Sequence, residues 1–504
     1  MVQQSLHMQW ILAATIIAYV VLMLFIARVA QRKVKNQTDY LIAGRRLGLS
    51  LAWMTLLATW FGAGTILAVA DDVQEEGIRA AALDPLGAGI CLLLVGWFIA
   101  ARMWRFQIET VPDLFAKQFG KRSEIVCSCV MIPSYFGWIA TQFVALGGLL
   151  ELIFGLPISV GILLIALVTT IYTMMGGMWS VTLTDSVQVL LLLVGLIFLV
   201  GTVLWQVGEG SPLTGFQKVI ESGEEGHWVL VPLESRVAFF SWLGLLAVGA
   251  LGNIPGQDLM QRVFAAKSAI VARRACLIAG FMYLLFGAIA VYLAAGAAVL
   301  LPGETEKGVL ATLAQAFLTP PLNIIFIVVI FSAVMSTIDS AILAPSAVLS
   351  KNLLQPRLNM DPLKLNRICV GVVAFCSLLV AYSGKTAYEL LEDAYAITMV
   401  GLFVPMIFAI YSKPRREWPA LASMLVGISV WGCHFLLGWE SFLNPGGLIL
   451  ETDTFAPTWF RPIGDWQLPI SLVATLMSLI AYVAVDFFLA RITNKRNSRE
   501  PSSQ

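Results

Sequence analysis

Apolar runs long enough to cross a bilayer recur from one end of the chain to the other, separated by short polar connections. A hydrocarbon core of about 30 Å needs about 20 residues of helix. Runs of that length centre near residues 20, 57, 90, 137, 167, 193, 247, 287, 337, 373, 401, 427 and 479. The pattern predicts an all-α integral membrane protein with about 13 transmembrane helices. The first run, Trp10 to Val29, is long enough to span and is followed by basic residues, so it reads as a membrane helix and not as a cleaved signal. The longest polar connections, 206–237 and 438–466, leave no soluble domain of useful size. The tail ARITNKRNSREPSSQ reads as a solvated, disordered cytoplasmic end.

Two runs are interrupted at mid-span. ATWFGAGT at 58–65 holds Gly62 and Gly64, and GALGNIPGQD at 249–258 holds Gly252, Pro255 and Gly256. Glycine and proline weaken the helical ladder. Ordinary kinks put the same residues into membrane helices. Broken backbone at membrane depth is tolerated where it lines a cavity, however, and two breaks five helices apart point to an inverted-repeat transporter with a midplane site.

Composition agrees with a bilayer as the solvent. The 504 residues are 59% hydrophobic and 12% charged, against about 25% charged for a soluble chain. The net charge of +1 gives no basis for nucleic-acid binding. The seven cysteines lie almost entirely in apolar runs, and His7, His227 and His434 form no cluster, so neither disulfides nor a metal cluster are expected. No nucleophile–histidine pair suggests an enzyme. Basic residues crowd alternate loops: Arg32, Lys33 and Lys35; Arg102 and Arg105; Arg273 and Arg274; Lys351 and Arg357; Arg415 and Arg416; Lys495 and Arg496. The intervening loops, such as DDVQEEG, are acidic or neutral. This alternation predicts an odd number of helices, the N-terminus outside and the C-terminus in the cytoplasm of an integral plasma (inner) membrane protein. The uncharged GGMWSVT takes a cytoplasmic place in the same alternation.

The most polar apolar run is FSAVMSTIDSAIL, 331–343. At about 100° per residue, Ser336 and Ser340 lie within about 40° of each other on the helix, with Ala333 and Thr337 to one side and Asp339 to the other. Neutral hydroxyls and carbonyls suit a monovalent hard cation. A membrane-helix hydroxyl usually bonds back to the preceding turn, which accounts for any single serine here but not for Asp339, a buried charge that needs a partner. YTMMGGMWSVTLTDSVQ, 172–188, offers a second carboxylate, Asp185, which as a lone observation also fits an interfacial or capping acid. No Lys or Arg lies within two turns of either acid in the sequence, so a second sodium or a proton is the expected counter-charge.

YTMMGGMWSVTLTDSVQ resembles the signature of the sodium:solute symporter family, and AVMSTIDSAIL resembles that family's sodium-site helix. Within the family, AGRRLGLSLAWMTLLATWFGAGTI, GNIPGQDLMQRV and VMSTIDSAILAPSAVLSKN are most similar to the high-affinity choline transporter branch. The resemblance implies a LeuT-type fold of two five-helix inverted repeats over 38–410. One helix and the first cytoplasmic loop precede it (1–37), two helices follow (411–490), and the tail is 491–504. It implies a main sodium site made of the Ala58, Phe61 and Ala333 carbonyls and the Ser336 and Thr337 hydroxyls. It implies a second cation position at Asp185, Ser336, Ser340 and Asp339. Trp60 and Trp138 match two positions of the branch's aromatic cage for a quaternary ammonium, while Ala88 and Gly256 stand where two other aromatics would. Asp84, Gln142 and Gln257 are further expected substrate contacts, Asp84 as an acid facing the cavity.

The expected function is sodium-coupled symport of a small organic solute, cationic or amine-bearing, by alternating access, with the lipid bilayer as surroundings and no obligate protein partner. Proton coupling through Asp185 and Asp339 is the alternative within transport. A transporter-like sensor is the alternative outside it, and no attached signalling domain is evident.

Overall fold

The structure, a computed structural model, describes residues 6–221, 226–301, 308–413, 416–437 and 468–497. The main helices are α1 (Leu6–Gln31), α2 (Leu49–Trp60), α3 (Gly64–Glu76), α4 (Ile78–Arg105), α5 (Lys121–Phe154), α6 (Ile158–Val207) and α7 (Arg236–Gly252). They continue as α8 (Gln257–Ala265), α9 (Ala269–Leu300), α10 (Pro320–Leu354), α11 (Pro362–Ala381), α12 (Ala387–Tyr411), α13 (Glu417–Leu437) and α14 (Ile470–Asn497). Among the described residues, eleven helices have the length and hydropathy of spans, and the bent pair α2–α3 makes a twelfth.

Burial sets the layers. In α10 78% of the apolar window is inside the protein, against 28% in α1 and 17% in α14. The hydroxyl-rich helix is therefore the centre, and the first and last helices lie at the rim facing lipid. α14 docks through Tyr482, whose ring stacks on Phe408 at 3.8 Å, and through Ser478, 2.8 Å from Ser423 of α13. It runs to Asn497, so part of the stretch expected to be disordered is helical. The rest of that tail and the 438–466 connection fall outside the described residues.

The expected connection at GGMWSVT is a sharp turn at Gly177 that joins two helical segments of α6. Gly177 has φ 56° and ψ −158°, and a Cβ there would meet the Tyr40 ring at 2.6 Å. Only glycine satisfies both the left-handed backbone and the lack of room. Met178 and Trp179 are buried beside it, which explains why this turn carries no charge.

Both expected breaks are present. α2 and α3 meet at 50° around Phe61 and Gly62. α7 ends at Gly252, and α8 starts after Gly256. Leu47 and Ala266 form a parallel bridge, with Leu47 N–H donating to the Ala265 carbonyl at 3.0 Å and Lys267 N–H to Leu47 at 2.9 Å. That bridge ties the entry of one broken helix to the exit of the other. The two breaks are thus held in one body, with α10 between them.

Candidate functional site

Four oxygens converge where α10 crosses the first break. Ser336 Oγ lies 3.3 Å from the Ala58 carbonyl oxygen, and Thr337 Oγ1 lies 3.4 Å from both the Ala58 and the Ala333 carbonyl oxygens. Ser336 has one hydroxyl proton and a far shorter partner for it, Asp185 Oδ1 at 2.5 Å. Its lone pairs therefore face the Ala58 carbonyl with no proton between them. The Thr337 proton can serve only one of its two carbonyls. The cluster is rich in lone pairs and short of protons, as a cation site requires. The spacing fits as well: for an ion of calcium's size, which sodium closely matches, oxygens stand about 2.4 Å away and neighbouring corners of an octahedral shell about 3.4 Å apart. Phe61, the remaining expected ligand, is fully buried at the break itself.

Gly62 gives α10 its close approach. A Cβ at Gly62 would sit 2.1 Å from Thr337 Oγ1. Gly62→Ala must push Thr337 away from Ala58, so it is expected to weaken sodium dependence of transport while the chain still reaches the membrane. A sodium titration of uptake checks this, and unchanged sodium affinity would contradict the packing described.

Behind this cluster lies a buried ion pair. Asp185 of α6 accepts from Thr55 Oγ1 of α2 at 2.5 Å, and Arg262 Nη2 of α8 approaches its Oδ2 at 3.6 Å. The same Arg262 nitrogen donates to Ser340 Oγ at 2.5 Å; its Nε donates to the Thr55 carbonyl at 3.3 Å and its Nη1 to the Asp258 carbonyl at 2.9 Å. Both charges are buried, with side chains 1% and 0% exposed. Arg262 thus reaches the place between Asp185 and Ser340 where a second cation was expected, and it supplies the counter-charge that the sequence left open. Asp339 stands apart on α10: its Oδ1 accepts from Thr173 Oγ1 of α6 at 2.9 Å, and Tyr19 of α1 is within electrostatic reach.

A cavity of ≈ 20 Å³ opens at the second break, lined among others by Tyr135, Trp138, Asn253, Gly256, Asp258 and Tyr395. That is room for a water or two, so an organic solute enters only when these walls part. Asp258 is the one charged side chain in the lining. Its Oδ1 accepts from Tyr135 O–H at 2.5 Å and its Oδ2 from Trp60 Nε1 at 2.6 Å.

The expected substrate residues divide. Trp138 lines the cavity, and Trp60 reaches it through its bond to Asp258. Gln142 instead accepts from the Ala63 N–H at 3.0 Å, capping the half-helix that restarts after the first break. Gln257 accepts from the Val111 N–H at 2.7 Å and donates to the Glu109 carbonyl at 3.1 Å, outside the cavity. Asp84 is knotted to Thr65 Oγ1 at 2.8 Å and to Tyr283 O–H at 2.9 Å, with that phenol also 3.0 Å from the Trp60 carbonyl. It braces the first break and is not among the cavity residues.

Sequence reasoning missed Arg262, Asp258, Tyr135 and Tyr283. In the sequence Arg262 falls with Lys267, Arg273 and Arg274 in the basic stretch after the second break, whereas the structure puts it in the second turn of α8. Asp258 was visible as an acid directly after a midspan break, the position a cavity residue takes. Nothing local marked Tyr283.

The model of the sodium:solute symporter family matches residues 40–427. The high affinity choline transporter 1 of Homo sapiens is 26% identical, with 96% of this chain and 85% of that one covered. The sodium/proline symporter 2 of Staphylococcus saprophyticus is 23% identical, with 98% and 95% covered. Among solved structures, a Na+-coupled sialic acid symporter in a substrate-bound outward-open state superposes with a TM-score of 0.71 at 20% identity, over 94% of this chain and 96% of that one. MhsT in complex with L-phenylalanine superposes at 0.53 and 14% identity, over 87% and 98%.

Proposed function

The chain belongs to the sodium:solute symporter family, and from that premise we propose that it imports a small organic cation with one sodium ion held by Ala58, Phe61, Ala333, Ser336 and Thr337. The protein is a multi-pass membrane transporter of LeuT-type fold, not an enzyme, and sodium is its coupling ion. The observation that carries the site assignment is the surplus of lone pairs between α2 and α10: Ser336 spends its proton on Asp185, which leaves its oxygen and the Ala58 carbonyl 3.3 Å apart. A cation between them joins the broken helix to α10 and favours an ordered substrate cavity. Substrate then permits closure, and loss of sodium on the other side releases it.

Basic loops in the cytoplasm and the N-terminus outside complete the reading. Asp71, Glu75, Glu76 and Glu389 all lie within electrostatic reach of Asp72, and such an acidic cluster would concentrate cations. Each positive charge that crosses about 100 mV contributes about 2.3 kcal/mol, roughly fifty-fold in accumulation. The Arg262–Asp185 pair removes the reason for a proton or a second sodium at Asp185, which favours one sodium per cycle.

The test is uptake into proteoliposomes of the purified protein. Small organic cations should accumulate under an inward sodium gradient and not under an equal potassium gradient, and neutral or anionic solutes should not. Trp138 is the aromatic face of the site. Trp138→Ala is expected to weaken binding of the cation by about 0.5–2 kcal/mol, with Trp138→Phe losing less. Wild-type affinity in Trp138→Ala would remove the ring from the site.

A further inference from the structure

We propose that Asp258 is the substrate's counter-charge, and that the solute is a small ammonium carrying at least one N–H, not a quaternary ammonium; this rests on the symporter reading above. Asp258 is 3% exposed and lines the cavity at the second break. Among the described residues, no Lys, Arg or His nitrogen lies within 4.0 Å of its carboxylate. Arg262, one turn on, acts on Asp258 only at longer range: its guanidinium pairs with Asp185 and donates to Ser340, to the Thr55 carbonyl and to the backbone carbonyl of Asp258. The start of α8 favours a carboxylate, but a helix end offsets only part of the cost of burying a charge.

The partners Asp258 does have are neutral donors, one to each oxygen: Tyr135 O–H to Oδ1 and the Trp60 indole N–H to Oδ2. A carboxylate offers about four lone-pair positions, so about two stay open. The two donors fix the carboxylate as a wall of the cavity beside Trp138 and Tyr395. Three other polar side chains of that wall are already satisfied locally: Thr398 Oγ1 donates to the Gly252 carbonyl at 2.6 Å, Asn253 Nδ2 to Gly249 at 3.3 Å and Ser134 Oγ to Met131 at 2.7 Å. What the cavity lacks is a positively charged donor. An ammonium with an N–H provides a charge-assisted bond to the open lone pairs while its carbon-bound face rests on the rings. A fully methylated nitrogen provides the charge without the bond and is kept farther from the carboxylate by its methyl groups.

The experiment uses the full-length purified protein and four probes that differ only in N-methylation: ethanolamine, N-methylethanolamine, N,N-dimethylethanolamine and choline. Binding is read as the shift of the thermal midpoint in saturating sodium, with sodium-driven uptake as the second readout. Probes with an N–H are expected to bind about tenfold or more tightly than choline. Asp258→Asn, which keeps the shape but not the charge, is expected to lose that preference together with most of the affinity. Its midpoint should still rise with sodium, which shows that the variant is folded and its sodium site intact. Choline binding as tightly as or more tightly than the N–H probes overturns the proposal, as does wild-type affinity in Asp258→Asn. If none of the four binds while sodium still stabilises the wild type, the amine assignment falls and the symporter reading stands. If sodium has no effect on the wild type, both fall.

Discussion

Ser336→Ala combined with Thr337→Ala is expected to raise the sodium concentration for half-maximal uptake by about tenfold or more. Each hydroxyl contributes an oxygen within 3.3–3.4 Å of the Ala58 carbonyl. Without them the ion keeps only backbone carbonyls, too few to replace its hydration shell. A bond to a charged group contributes about 1.5–3 kcal/mol, so losing two such contacts exceeds the 1.4 kcal/mol that corresponds to tenfold. Thr337→Ser retains the oxygen and should stay near wild type. Sodium titrations of uptake at matched surface expression decide the matter, and unchanged sodium dependence in the double variant would remove these hydroxyls from the site.

The second large effect belongs to the buried pair. Arg262→Met leaves Asp185 charged and without its cation, and Asp185→Asn leaves Arg262 uncompensated. Removing one partner of a buried pair costs about 3–5 kcal/mol, so each single variant should show a sharply lowered thermal midpoint and little uptake. Arg262→Met with Asp185→Asn should recover part of the lost stability, because no lone charge remains. Transport should not return with it, since Ser336 has lost the carboxylate that orients its proton. The same arrangement predicts a sodium Hill coefficient of one. A coefficient near two, or single variants with wild-type midpoints and uptake, would mean that Arg262 is not the counter-charge.

These effects meet in α8. Asp258 stands at its start against the cavity, Arg262 one turn later against Asp185, and Arg262 Nη1 donates to the Asp258 carbonyl at 2.9 Å. Asp185 in turn holds Ser336 of the sodium cluster. One turn of α8 thus links the cavity wall, the buried ion pair and the proposed sodium ligands, so a displacement of α8 by bound substrate would reach those ligands without a long relay.

Much of this could be read from the chain before folding. Spans and mid-span breaks follow from local hydropathy and from glycine and proline. Ser336 and Thr337 share a face with Ala333 by helical geometry alone. What failed depends on long-range approach. Arg262 and Ser340 are 78 positions apart, and Tyr283 reaches Asp84 across 199; no periodicity carries such pairs. Gln257 and Asp258 show a finer limit. Neighbouring helical residues point about 100° apart, so choosing Gln257 over Asp258 exchanged a contact to the 109–111 segment for the wall of the cavity. At GGMWSVT the connection between two helices was legible, but its tightness was not: that follows from Tyr40 packed against Gly177.

The central claim is that sodium binds between the first broken helix and α10, and the most direct measurement is a sodium titration of the thermal midpoint of the purified protein, with potassium holding the ionic strength constant. The account predicts a saturable rise of the midpoint with sodium that fits a single site and is absent in Ser336→Ala with Thr337→Ala. The same midpoint in sodium and in potassium, or an equal rise in wild type and double variant, would contradict it.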